Sequence, residues 1–343
     1  MQFTLSPEQR QFSASLHLIL TTADGVHSAR RLLVGDRAPV RALRRAITDA
    51  GVPALAVPRD CGGLAAHPTD VVLACEEMGH HALAGPIAES VAAVPTLLAA
   101  LRGAGSGRMD TWLAGLASGR LIATLAAPPL LPLAADVDKS GLVLLAEHRS
   151  LWVAKSGQMH GSVARVRTLC EVSAGQLVAD GPAVEAALTK ALEIGTVACS
   201  AQLLGASRAL LEATARHTRQ RTQFGRPIGS FQAVKHQLAN VLIGVEFARA
   251  LLFGAAMSLA SESPEAPRDV SAAKVACVDA ANQAAKTALQ LHGAVGYTAE
   301  HDVGQWLTLI RALGPAWGSQ SMHRARVLAA LTAGSGTGRR PCE

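Results

Sequence analysis

A mostly α-helical chain with one β-rich insert is the fold class the sequence predicts, and three observations carry it. Ala and Leu dominate over β-branched residues in a chain of 343 residues that is 49% hydrophobic and only 17% charged. Such side chains lose little rotamer freedom in a helix. Beyond about residue 184, four long stretches keep apolar residues at helical spacing, which reads as a bundle. Between about residues 120 and 184, short apolar runs alternate with turn residues instead, as strands do. The predicted organisation is an N-terminal helical domain over 1–119, a small middle β-domain over 120–184, a C-terminal four-helix bundle over 185–335 and a flexible tail over 336–343.

The individual elements follow from their punctuation. Ser6 is an N-cap with Pro7 at the first helical position, where a missing N–H costs nothing. VPALAVPRDCGG breaks the first helical region with prolines and paired glycines, and HPTDVVLACEEMGHH restarts a helix at Thr69 or Asp70. GAGSG at 103–107 has no strand before it and reads as a linker rather than a phosphate loop. The insert offers LIATLAAPPL, GLVLLAEH, SLWVAKS, ARVRTLCEV and GQLVAD as strands. The bundle is interrupted at FGRPIGS, SESPEAPRD, HGAVGYT and LGPAWGS.

Composition also narrows the function classes. Six cysteines are scattered without CxxC spacing, which argues against a metal cluster or disulfide framework and for a reduced cytoplasm. MQFTLSPEQRQF lacks the basic-then-apolar pattern of a secretory signal, and no run of about 18 uninterrupted apolar residues predicts a membrane span. A net charge of +6 suits an anionic partner, but aromatics are only 3% of residues and the basic side chains are dispersed. Nucleic acid is therefore not expected. The one basic concentration is Arg216, Arg219, Arg221 and Arg226.

That concentration coincides with RTQFGRPIGSFQAVKHQ, residues 221–237, where a helical run is broken by two arginines, an aromatic and two glycines. A guanidinium is a planar fork of donors suited to a diphosphate, and glycines let a ligand approach the backbone. A solvated turn between helices would have a similar composition. QLHGAVGYTAEH, about sixty residues on, adds Gln290 at a helix end, a small-residue elbow and the only tyrosine, Tyr297, followed by Thr298 and Glu300.

At this spacing the two segments together resemble the acyl-CoA dehydrogenase family, and VPRDCGG, CEEMGH and GPIAESVAAVPTLL resemble its N-terminal region. The resemblance covers about residues 5–118 and 184–335. It implies an N-terminal helical domain, a middle β-domain and a C-terminal four-helix bundle holding FAD, which takes a hydride from an acyl-CoA after a glutamate removes the α-proton. It also implies that Arg221 reaches across a subunit interface to the FAD diphosphate, flanked by Gln223 and Phe224, and that Gln232, Gln290, Gly293 and Ala294 complete the contacts in trans.

The remainder of the family pattern is missing. ATLAAPPLLPLAADVDKS stands where the family holds the flavin ring, and Trp152 is the nearest echo of its tryptophan segment. The two positions at which the family carries its base fall on Trp317 and Gly195, neither of which accepts a proton. Glu193, two residues from Gly195, is the one alternative base, and Glu300 is read as structural or as a partner of Arg311. The arrangement resembles the actinobacterial steroid-degrading heterotetramers of the family. It implies a non-catalytic subunit in an α2β2 complex with a homologous catalytic chain, sharing FAD and acting on a bulky, possibly steroid side-chain, acyl-CoA. The competing expectations are a self-sufficient homotetrameric dehydrogenase using Glu193 and a non-redox acyl-CoA-binding scaffold.

Overall fold

The computed structural model describes residues 5–104, 107–297 and 302–335. Six helices come first: α1 (Pro7–Thr22), α2 (Gly25–Leu33), α3 (Ala38–Asp49), α4 (Pro68–His80), α5 (Val94–Ala100), entered through a π turn at Ala88–Ala93, and α6 (Arg108–Ala117). Ser6 caps α1 as its sequence predicts. Its hydroxyl accepts from the Gln9 N–H at 3.2 Å, and the Gln9 amide oxygen accepts from the Ser6 N–H at 3.1 Å. Helix α4 starts a residue earlier than the sequence reading. Pro68 takes the first helical position and the His67 ring accepts from the Thr69 N–H, a capping role usually held by Ser or Asp.

A five-stranded sheet follows: β1 (Ala123–Ala126), β2 (Ala134–Ala135), β3 (Leu142–Glu147), β4 (Ser150–Gly161) and β5 (Thr168–Asp180), in the order β1-β3-β4-β5-β2. Only β1 and β3 are parallel. Two runs read from sequence as separate strands form the single strand β5. Gly175, the first residue of the second run, lies where a Cβ would come within 2.3 Å of the Val153 carbonyl oxygen, so it permits a close approach inside the ladder.

The rest is helical: α7 (Pro182–Gln220), a two-strand ribbon of β6 (Thr222–Gln223) and β7 (Arg226–Pro227), α8 (Gln232–Ala260), α9 (Ala266–His292), α10 (Val303–Leu313) and α11 (Gln320–Ser335). Helix α7 lies at the centre, with α4 packed against it almost backbone to backbone. A Cβ on Gly79 would lie 2.1 Å from the Gln202 carbonyl oxygen, and one on Gly205 would lie 1.8 Å from that of Glu76. Beside this crossing Arg208 bonds Glu76 at 2.6 Å and Glu77 at 3.3 Å. The Trp306 indole N–H donates to the His80 carbonyl at 2.7 Å.

Two helices, α7 and α8, are long and apolar enough to cross a membrane by length and composition, a combination that counting uninterrupted apolar residues overlooks. Their surroundings differ. The apolar window of α7 is 89% buried inside the protein, whereas that of α8 is 39% buried. Leu242, Ile243, Phe247 and Leu251 stand exposed on α8, with 243, 247 and 251 repeating every four residues along one face.

Candidate functional site

The basic segment is a built hairpin. At the end of α7 the backbone of Arg221 becomes extended; its N–H donates to the His217 carbonyl, and its carbonyl accepts from the Ile228 N–H at 2.8 Å. Phe224 and Gly225, the central pair, have φ of +52° and +76°. Positive φ at both positions makes the mirror-image turn that matches strand twist, for which glycine suits the second position and phenylalanine is a strained first. The turn holds Phe224 outward at 91% exposure. Arg226 lies over the Phe231 ring, 4.2 Å from its centroid. Arg221 is exposed, and among the described residues no carboxylate lies within 4 Å of it.

The second segment comes to the same end of the bundle. Helix α9 stops at His292, Gly293 follows with φ +61°, and His292 stacks on His217 in the last turn of α7 with ring centroids 4.3 Å apart. Gln223, Gln290, Gly293 and Ala294 are exposed, as is Gln232 at the start of α8. The structure thus gathers at one end the segments that supply the predicted cofactor contacts. Thr298 and Glu300 lie outside the described residues.

The two positions where the family's base was sought meet each other. A Cβ on Gly195 would lie 2.1 Å from the Trp317 ring, so the indole fills the space that glycine leaves on α7. Trp317 is 1% exposed and has φ +61°. The His323 Nε2–H donates to its carbonyl at 2.8 Å, leaving Nδ1 to accept the Ser271 hydroxyl at 3.2 Å. The Pro-rich loop between β1 and β2 reaches the same corner, where the Leu130 Cδ1 is 3.0 Å from the place a Gly318 Cβ would occupy.

Glu193 is buried and ion-paired to Arg326 on α11, with one carboxylate oxygen left without a partner. Burial pushes its carboxyl up, and Arg326 opposes that. Sequence reasoning missed Glu89, a carboxylate in the π turn that lines the same small cavity as Trp317 and is 4% exposed. Its signal was faint: one acidic residue inside GPIAESVAAVPTLL. Burial raises the Glu89 carboxyl above its ordinary value of 4.5, while Arg167 pulls it down less strongly.

The folded chain therefore binds more protons than the unfolded one as pH climbs from the ordinary carboxylate range to the raised value. Stability from this group is complete below that range and is lost as pH rises through the folded value. Glu89→Gln is expected to flatten the decline, with its melting temperature gaining on that of the parent as pH rises above the ordinary carboxylate range in paired thermal scans.

These residues permit a direct test of fit to a flavin. The exposed Arg221, Gln223, Gln232 and Gln290 suit the diphosphate end of a dinucleotide presented from outside the bundle end. The corner closed by Trp317 does not suit the ring. Beside Glu89, Asp136, Arg167, Gln202 and Trp317 the cavity is about 20 Å³, the size of a single water. Thr124 is fully buried in β1, and Trp152 packs on Ala126, Ala134 and Leu145.

Helices, a small sheet and a long bundle with its arm on the α7–α8 turn make up the architecture of acyl-CoA dehydrogenases. The ChsE4-ChsE5 complex from Mycobacterium tuberculosis superposes with a TM-score of 0.80 at 23% identity, covering 100% of both chains. The Tcur3481-Tcur3483 steroid ACAD G363A variant superposes at 0.83 and 20% identity, covering 97% of this chain and 100% of that one. Residues 184–332 match the family model for the acyl-CoA dehydrogenase C-terminal domain. Acyl-CoA dehydrogenase IpdE2 of Mycobacterium tuberculosis is 27% identical over 299 residues, 87% of this chain and 89% of that protein. Residues 184–332 thus carry an acyl-CoA dehydrogenase C-terminal domain, and the chain as a whole has the fold of these solved structures.

Proposed function

We propose that this chain is the non-catalytic subunit of a heteromeric, FAD-dependent acyl-CoA dehydrogenase. In this reading it lends Arg221, Gln223, Phe224, Gln232, Gln290, Gly293 and Ala294 to a flavin held mainly by a homologous catalytic partner. The observation that carries the reading is the pairing of an exposed diphosphate-type arm with an interior closed by Trp317 against Gly195. Bound FAD supplies hydride acceptance in this family. The chain's own part is to grip the diphosphate in trans through a guanidinium fork and amide donors, while the catalytic carboxylate comes from the partner.

Names among the structural neighbours support a two-chain assembly and a steroid-derived thioester, so the proposed substrate is a bulky acyl-CoA and the proposed stoichiometry α2β2. Among the described residues five cysteines are free and buried, which suits a reduced cytoplasm. The same reading carries the division into 1–119, 120–184, 185–335 and the tail 336–343. The exposed apolar face of α8 supports a partner chain, since single exposed leucines are common but a contiguous stripe is not. Ile243→Glu combined with Phe247→Glu is expected to reduce the co-expressed complex to smaller species, read by size exclusion with light scattering, without lowering helical content.

The test is expression alone and with a candidate catalytic chain, followed by flavin absorbance and turnover. Flavin confined to the co-expressed complex supports the proposal, and stoichiometric FAD on the solitary protein overturns it. Turnover by the single chain that disappears in Glu193→Gln would establish the self-sufficient enzyme instead. Thioester binding without flavin in any complex would establish the scaffold.

A further inference from the structure

Three histidines and a glutamate converge where α1 crosses the end of α4. His17, Glu77, His80 and His81 each offer one ligand atom, and all four atoms lie within 4.8 Å of one another. His80 and His81 are 9% and 7% exposed. One nitrogen of each, Nδ1 of His80 and Nε2 of His81, has no hydrogen-bond partner. A buried imidazole nitrogen left bare is costly unless something occupies it.

The surroundings favour a cation. The His80 Nε2 bonds a Glu212 carboxylate oxygen at 2.9 Å, the outer carboxylate contact that fixes the tautomer of metal-binding histidines and makes the free nitrogen a better donor. The His17 Nδ1 stands 2.9 Å from Glu77 Oε2, and the other Glu77 oxygen is held by Arg208 at 3.3 Å. Arg208 and Arg249 both reach Glu76 as well, so their charge is met there, leaving Glu212 and one Glu77 oxygen for the histidines. Arg10 lines the approach, but its guanidinium bonds the Leu5 carbonyl at 2.7 Å. His17, with a side chain 43% exposed, faces the open groove between Leu5 and Glu212 and gives an ion a way in.

The geometry points to a binding site for one zinc-class divalent ion, held by His17, His80, His81 and Glu77, which pins α1 to α4. Three imidazoles and one carboxylate form a donor set of the kind zinc takes in four-fold coordination. Bonds of about 2.0–2.1 Å place tetrahedral ligand atoms roughly 3.4 Å apart, so ion entry asks only for a modest inward turn, most easily made by His17.

The experiment uses the full-length chain stripped with a chelator, then titrated with Zn2+ by calorimetry and with Co2+ by visible spectroscopy. The expected result is one ion per chain, the intense visible bands of tetrahedral Co2+, and a melting temperature raised by roughly 5 °C when Zn2+ is at a hundredfold excess over its dissociation constant. His17→Ala, at a half-exposed position that leaves the helical circular dichroism unchanged, is expected to weaken Zn2+ binding at least tenfold and abolish the Co2+ bands. His81→Gln gives a second reading of the same loss. Absence of stoichiometric uptake overturns the assignment. Uptake that His17→Ala leaves unchanged also overturns it, since the ion would then sit elsewhere.

Discussion

Arg221→Ala is expected to leave the co-expressed complex assembled but to weaken its hold on FAD by about 10- to 100-fold, the range for losing a charge-assisted hydrogen-bonded pair. Gel filtration at low protein concentration would then strip flavin from the variant and not from the parent. Arg221 is exposed at the base of the hairpin, where α7 ends, so removal of its side chain disturbs no packing. Arg221→Lys should fall between the two, because an ammonium keeps the charge and loses the two-pronged geometry. Unchanged flavin affinity in Arg221→Ala would show that the arm does not touch the cofactor.

The second large effect concerns the closed corner. Gly195→Ala forces a methyl group to within 2.1 Å of the Trp317 ring unless something moves. Overpacking of this kind costs about 1–3 kcal/mol. Trp317→Leu removes ring atoms from a site that is 1% exposed and costs about 2–4 kcal/mol. The double variant should be more stable than the sum of the two losses predicts, because the smaller side chain makes room for the new methyl. Chemical denaturation of all four proteins measures that coupling. Strict additivity would mean that the two residues do not share one space.

Local chemistry made much of this legible in the sequence. The arm announced itself through Arg221, Gly225 and Pro227, because turn residues and a guanidinium sit side by side in the chain, and Ser6 and Pro7 gave the first helix its start. What pattern reasoning could not see was contact between distant residues. Gly195 and Trp317 look unremarkable apart, and only the fold puts one against the other. Glu89 drew no notice inside GPIAESVAAVPTLL, and only the fold shows it buried in the π turn. His80 and His81 are adjacent in GHH, yet their meaning depends on His17, which arrives from another helix. The long β5 spans two runs that look separate in the sequence, and Gly175, the first residue of the second, sits at a close backbone approach.

The bond from Trp306 to the His80 carbonyl joins residues 226 positions apart. Helix α4 meanwhile rests on α7 and is braced by Arg208. A nascent chain therefore completes the contacts of α4 only after α7 and α10 have been synthesised. Contacts of such long sequence separation slow folding and prolong the exposure of apolar surface. A cut between sheet and bundle would leave an amino-terminal fragment without α7, the helix on which α4 rests.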